Sequence, residues 1–342
     1  MFTRSYFTSA IYGLLALNNW VDASPLAKRA TINATDYASI SLYKQFTSAA
    51  YCNQNYKLNT PSKTALTCGD SGNCPDIGNV QTVLKFVGTT YQVSGYVAVD
   101  ITRSLIVVGF RGTAFCDNSQ LDPNVAIGNC KANALSVTLS PVPEWCNGCE
   151  VATGDLLAWK EVNSTFPIIQ TVQAQAQAHT GFRIVTTGHS FGAAMATIAA
   201  VELRRLIPNR VVDLGSYASP RLSNMALATF IQSEEPARGR NYRVTRMFDA
   251  IVNLPSTLPG GFPGVSGFYH ISPSYYITNN VVPPQFPIPS QNDIQIVTGN
   301  EVNVPLPAGG AGMDVAVLAA WHVSYFGWIS RCDVNATRSS GI

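Results

Sequence analysis

The pentapeptide Gly188-His189-Ser190-Phe191-Gly192 constrains this chain more than any other stretch, because of what flanks it. Phe182–Thr187 (FRIVTT) just before it is a short apolar run of strand type. Phe191–Leu206 (FGAAMATIAAVELRRL) just after it is rich in Ala and small residues and reads as a buried helix. A bare GxSxG motif is weak evidence, but a strand that turns sharply into a helix through it lifts the serine oxygen clear of the sheet edge. The flanking glycines permit the strained backbone and close packing, and the helix N-terminus presents free N–H groups toward negative charge. Ser190 is therefore the candidate nucleophile, and the Phe191 N–H a candidate oxyanion donor.

The rest of the chain supplies a matching scaffold. Helical stretches are expected at 36–50, at Leu156–Ala178 with a break at Pro167, and at Asn224–Glu234. Strands are expected at Val93–Val99, Leu105–Phe110, Val211–Tyr217 and Tyr242–Met247. Residues 114–150 read as irregular, and 255–310 as Pro- and Gly-rich loops with one strand candidate at Ile294–Thr298. Alternating strands and helices indicate a mostly parallel central sheet covered by helices on both faces, the α/β-hydrolase fold.

A serine hydroxyl needs a base, and in this fold the chain order is Ser, acid, His. That order eliminates His179, and His189 cannot easily fold back on its neighbour. His322, in Trp321-His322-Val323-Ser324-Tyr325-Phe326, is preferred to His270, which is given a supporting role. Asp249 directly follows an expected strand end, whereas Asp293 and Asp314 lie in loop surroundings and Asp213 within a strand. Gly109-Phe110-Arg111-Gly112-Thr113 ends an earlier strand where a second oxyanion donor belongs, so Thr113 is the candidate. For Arg111 a structural salt bridge is expected. The bland alternatives are a structural serine, buried histidines and a turn aspartate.

The first residues read as a secretory leader: Arg4, an apolar stretch from Phe7 to Leu17, and a small-residue cleavage site at Val21-Asp22-Ala23. We expect a signal peptide over 1–23, a short propeptide over 24–29 ending at the dibasic Lys28-Arg29, and a single domain over 30–342. Residues 1–29 carry Arg4, Lys28, Arg29 and Asp22, so their loss takes 22 basic and 20 acidic residues to 19 of each. A neutral chain argues against nucleic-acid partners. No second run approaches the ~20 apolar residues of a transmembrane helix. A low charged fraction of 12% hints at an apolar face for a greasy substrate. Sequons stand at Asn33, Asn163 and Asn335. Eight cysteines in an exported chain imply disulfides, although the count alone leaves 105 pairings open. Cys146-Asn147-Gly148-Cys149 fits a small disulfide loop better than a redox or zinc motif, since the four histidines are scattered and no thioredoxin pattern surrounds it. No metal or organic cofactor is expected.

Together, Leu66-Thr67-Cys68 with Asn73-Cys74-Pro75, Phe110-Arg111-Gly112-Thr113, Cys146-Asn147-Gly148-Cys149, Thr187-Gly188-His189-Ser190, Tyr217-Ala218-Ser219-Pro220-Arg221, His270-Ile271-Ser272-Pro273 and His322 with Tyr325-Phe326-Gly327 resemble the fungal class 3 lipases. That family includes triacylglycerol lipases, mono- and diacylglycerol lipases and feruloyl esterases. The resemblance implies a Ser190–Asp249–His322 triad, an oxyanion hole of Thr113 and Phe191, and a mobile lid after Thr113. It also implies the disulfides Cys52–Cys332, Cys68–Cys74 and Cys146–Cys149. Cys116 and Cys130 have no place in that pattern, so by elimination they pair across the lid. Other departures are Asn124-Val125 in place of a lid Asn-Trp, Ala152-Thr153-Gly154-Asp155 in place of His-x-Gly-Phe, Phe191 in place of Leu, and Phe248 in place of Asn before the acid. The expected function is a secreted, monomeric serine lipase acting on acylglycerols at a lipid–water interface. The alternatives are an esterase for soluble or aromatic (feruloyl-type) esters and a catalytically degenerate binding protein.

Overall fold

The computed structural model describes residues 29–59, 61–113, 128–255, 267–279, 287–299, 304 and 320–332. The expected signal peptide, the segment expected to form the lid, Cys116, Asn124-Val125, Asp314 and Asn335 fall outside them.

Among the described residues, eleven strands alternate with seven α-helices. The strands are β1 (Arg29–Thr31), β2 (Gln81–Val87), β3 (Ser94–Asp100), β4 (Leu105–Phe110), β5 (Leu139–Pro141), β6 (Glu150–Ala152), β7 (Arg183–His189), β8 (Val212–Tyr217), β9 (Asn241–Arg246), β10 (Ser274–Ile277) and β11 (Ile294–Val297). The helices are α1 (Ala34–Ala49), α2 (Asn53–Tyr56), α3 (Gly128–Leu135), α4 (Thr153–Thr165), α5 (Ile168–Ala178), α6 (Phe191–Leu206) and α7 (Met225–Ser233). Nine strands form one sheet in the order β1-β11-β10-β9-β8-β7-β4-β3-β2, and β5 pairs with β6 apart from it.

The sheet is mixed. Its centre, β4-β7-β8-β9-β10, is parallel, as the alternating pattern requires. Its two flanks, β2-β3-β4 and β10-β11-β1, are antiparallel. The strands not expected from sequence lie mostly there. β2 carries Lys85 in its middle and a register shift between Thr82 and Leu84, so its alternation is broken. β10 is four residues long in a Pro-rich segment. The stretch read as irregular after Thr113 contains α3 and β5 among its described residues, and Pro167 separates α4 from α5 as expected.

Central strands are buried on both faces, so β3, β4, β7 and β8 are almost wholly inaccessible. Such strands read as continuous apolar runs rather than alternating ones. On one face α6 packs its alanines, Ala194, Ala196, Ala199 and Ala200, into a core with Phe110, Trp159 and Ile184. Small side chains let that helix lie close against the strand it follows. On the other face α1 buries Ile40, Tyr43 and Phe46. Asn33 caps α1 by accepting from the Asp36 N–H at 2.8 Å. Polar pegs fix its register: Tyr43 donates to Asp213 at 2.8 Å, and Thr47 meets Thr187 at 2.6 Å.

Candidate active site

β7 runs directly into α6 through Ser190, whose backbone sits at φ 58°, ψ −128°. A non-glycine residue in such a conformation costs on the order of 1–3 kcal/mol and persists only where the surroundings enforce it. Here they do. The Ser190 N–H donates to the Tyr217 carbonyl of β8 at 2.9 Å. A side-chain carbon on Gly188 would collide with the Gly192 backbone, and one on Gly192 would lie 2.6 Å from the Phe110 carbonyl. Both glycines are dictated by close backbone approach.

Ser190, His322 and Asp249 are brought together from positions far apart in the chain. Ser190 Oγ lies 2.9 Å from His322 Nε2, and His322 Nδ1 lies 3.0 Å from each Asp249 oxygen. Asp249 is fully buried. Burial pushes its carboxyl up, but the neighbouring His322 and the Tyr325 hydroxyl outweigh this and hold it below its ordinary range. The carboxylate accepts from Tyr325 Oη at 2.6 Å and from the Ile251 N–H at 3.0 Å. An ionised carboxylate only accepts, so His322 carries its proton on Nδ1 and offers a bare Nε2 to the Ser190 hydroxyl.

β4 ends beside the elbow, with Phe110 paired to Gly188. Beyond it, Thr113 Oγ1 accepts a 3.1 Å hydrogen bond from Asn133 Nδ2 on α3, which leaves the threonine proton free to donate. The sequence reading did not single out Asn133. Arg111 departs from its expected salt bridge: it donates to Tyr56 Oη at 3.0 Å and lies 5.5 Å above that ring. A guanidinium stacked on an aromatic face keeps its charge without a carboxylate.

Two histidines set aside as nucleophile partners brace the site. His189 presents Nε2 to the His322 carbonyl at 2.8 Å and Nδ1 to Tyr51 Oη at 2.6 Å. Burial, and then His322, lowers its pKa to about 3, so it stays neutral. The carbonyl can only accept, so Nε2 carries the hydrogen and Nδ1 accepts from Tyr51. His270 is buried with Nε2 2.8 Å from the Val252 carbonyl, three residues beyond Asp249. His179 stacks on Phe182 away from the triad. Asp213 pairs with Arg183 at 2.6 Å and takes no part in the site.

The residues just before the acid and the histidine meet each other. Phe248, at φ 70°, packs edge-on against Trp321 with ring centroids 5.1 Å apart. Arg246 lies 4.8 Å over the Trp321 ring and donates to the Ser324 carbonyl at 3.0 Å. Nothing in sequence spacing signals this clamp, because its halves lie some seventy residues apart.

Asp155, where the family carries Phe, is 3% exposed on α4. Burial pushes its carboxyl up to about 7, partly offset by the Ser136 hydroxyl. Unfolded, the group titrates near ~4, so stability present in acid is lost as pH rises through about 7. Asp155→Asn is expected to flatten that decline, raising the melting temperature by a few degrees at pH 8 and leaving it nearly unchanged at pH 4. Scanning calorimetry at both pH values checks this; an unchanged slope would refute it.

Cys52–Cys332, Cys68–Cys74 and Cys146–Cys149 are bonded. Cys130 is also disulfide-bonded, and its expected partner Cys116 lies outside the described residues. Among the sequon asparagines, Asn33 is exposed and Asn163 half-buried. Among the described residues, no group of three or more His, Cys, Asp or Glu could hold a metal, and no helix is long and apolar enough to cross a membrane.

Comparison with known proteins bears on the family and the fold. Residues 107–258 match the family described as Lipase (class 3). The chain is 32% identical to secreted mono- and diacylglycerol lipase 1 of Fusarium solani, over 88% of this chain and 79% of that protein. It is 30% identical to secreted mono- and diacylglycerol lipase A of Penicillium camembertii, over 86% of each. The solved mono- and diacylglycerol lipase from Aspergillus oryzae superposes with a TM-score of 0.69 at 32% identity, over 88% of this chain and all of that one. With a GxSxG turn between strand and helix, and with sequence likeness spanning most of both chains, the protein belongs to the class 3 lipase family.

Proposed function

We propose that this protein is a secreted lipase that hydrolyses acylglycerol esters through a Ser190 acyl-enzyme. The observation that carries the reading is the hydrogen-bonded chain from Ser190 Oγ through His322 to Asp249. Ser190 attacks the ester carbonyl as His322 Nε2 takes its proton. The Phe191 N–H and the Thr113 hydroxyl receive the oxyanion, with Asn133 orienting Thr113. His322 then protonates the leaving alcohol, and water repeats the steps on the acyl-enzyme. Asp249 holds the tautomer, and no cofactor enters the scheme.

The relatives named as secreted mono- and diacylglycerol lipases support acylglycerols as the substrate class and export as the fate. In this reading residues 1–23 are the signal peptide, 24–29 the propeptide and 30–342 the enzyme, acting as a monomer at a lipid–water interface. Asn33, Asn163 and Asn335 are its glycosylation sites, and Cys116 pairs with Cys130.

The test follows the rate of ester release from a short-chain triacylglycerol across its solubility limit. A rate that jumps when droplets form supports a lidded lipase. Smooth saturation below solubility, without a jump, would make it an esterase for soluble esters. A second check addresses the oxyanion hole. Thr113→Val is expected to lower kcat by about 10²-fold with little change in KM, since its hydroxyl serves the transition state. A pure KM effect would assign Thr113 to substrate binding instead.

A further inference from the structure

Contacts of two kinds tie the segment that carries the acid to the segment that carries the base. Some end on Asp249 itself, from His322 Nδ1 and Tyr325 Oη. Others leave the reacting groups untouched. Arg246 Nη1 donates to the Ser324 carbonyl at 3.0 Å. Trp321 meets the Arg246 guanidinium, 4.8 Å over its ring, and the Phe248 ring, edge-on at 5.1 Å. Trp321 is 1% exposed, and its indole N–H has no hydrogen-bond partner among the described residues. Ring contacts, not a polar tether, therefore set its orientation.

Phe248 occupies backbone that its side chain disfavours. Its φ of 70° lies in the left-handed region, where glycine and asparagine are at home and a bulky ring is an outlier. Such a conformation persists only where the surroundings enforce it. An edge-on aromatic pair returns free energy of the same order as that backbone costs. The half-buried Phe248 ring is thus close to neutral for stability, and its main effect is geometric.

The geometry it sets is that of His322. Trp321 and His322 are successive residues of one helical turn, 320–322, so their side chains stand about 100° apart around its axis. Turning the indole turns the imidazole with it. The imidazole has little room to turn: Nδ1 is 3.0 Å from both Asp249 oxygens while Nε2 is 2.9 Å from Ser190 Oγ. Ser190, held by its N–H bond to the Tyr217 carbonyl, does not follow.

Resting on the ester-hydrolysis reading above, we propose that Phe248 is a positioning residue: through Trp321 it fixes the angle of the His322 imidazole between Asp249 and Ser190. Arg246 supplies the other contact to the same indole.

The test uses the intact enzyme and two variants that accept a left-handed backbone without the ring, Phe248→Asn and Phe248→Gly. Steady-state kinetics are read on a soluble short-chain ester, beside the melting temperature. The downfield proton resonance of His322 Nδ1–H is followed by NMR and assigned by its absence from His322→Ala. The expected result in both variants is a fall in kcat of about tenfold at unchanged KM, with the melting temperature within a few degrees of wild type. The resonance is sharp in the wild type and broadened by exchange in both variants. Phe248→Tyr, which keeps the ring, is expected to hold kcat within about twofold of wild type and to keep the resonance sharp. An unchanged kcat and resonance in either folded variant overturns the proposal. A rise in KM with kcat intact makes Phe248 a substrate contact and overturns it too. If the wild type releases no product from any ester, the hydrolase reading fails and the resonance alone decides the clamp. A resonance that stays sharp in Phe248→Asn and Phe248→Gly then overturns the positioning role.

Discussion

Ser190→Ala is expected to lower kcat on a soluble short-chain ester by about 10⁶-fold, and Asp249→Asn by about 10⁴-fold, in proteins that fold normally. The first removes the attacking oxygen, and the remaining groups can only stabilise attack by water. The second is subtler. Asparagine keeps the shape of the carboxyl but can present an N–H to His322 Nδ1, which then has to be the bare nitrogen. Nε2 would carry the hydrogen and face the Ser190 hydroxyl at 2.9 Å as a donor instead of an acceptor. The base is lost with every atom in place. The Ile251 N–H would still donate to the amide oxygen and Tyr325 Oη could turn to accept from the amide N–H, so the loss reflects the tautomer and not a collapsed loop. Single-turnover kinetics and circular dichroism on both variants check this. An Asp249→Asn variant within tenfold of wild type would remove Asp249 from the mechanism.

The second large effect is on stability. Cys52 and Cys332 stand 280 residues apart in sequence and close nearly the whole described chain into one loop. In the chain-entropy account, a crosslink of that span contributes about 5 kcal/mol, against ~2 kcal/mol for the three-residue span of Cys146–Cys149. Cys52→Ala/Cys332→Ala is therefore expected to lower the melting temperature by on the order of 10 °C. Cys146→Ala/Cys149→Ala should lower it by less than half as much. The long bridge also anchors the segment that follows His322, so activity should fail several degrees before global unfolding in the first variant only. Calorimetry beside an activity–temperature profile decides it. Equal losses in the two variants would show that loop length does not set the stabilisation here.

Much of the fold could be read before any coordinates. The elbow at Gly188–Gly192 identifies itself, because strand, turn and helix signals are local and adjoin. The same locality exposed the helices and the buried parallel strands, whose apolar runs carry their own signature. The antiparallel flanks were harder: β2 is interrupted by Lys85 and a bulge, and β10 has only four residues between proline-rich stretches. Such strands form because a neighbour offers a pairing edge, and propensity alone does not report that edge.

The sequence by itself determined the family, and it singled out Ser190 as candidate nucleophile and Asp249 and His322 as its candidate partners. Each is written in short-range pattern or in residue types ordered along the chain. Only the tertiary structure decided how those groups are held. It joined Ser190 to His322 across 132 residues and His322 to Asp249 across 73. It turned His189 into a brace, set Asn133 on Thr113, and clamped Trp321 between Arg246 and Phe248. These contacts depend on which strands neighbour one another and where each chain segment turns back. Those are cooperative outcomes of packing the whole core, and no window of sequence contains them.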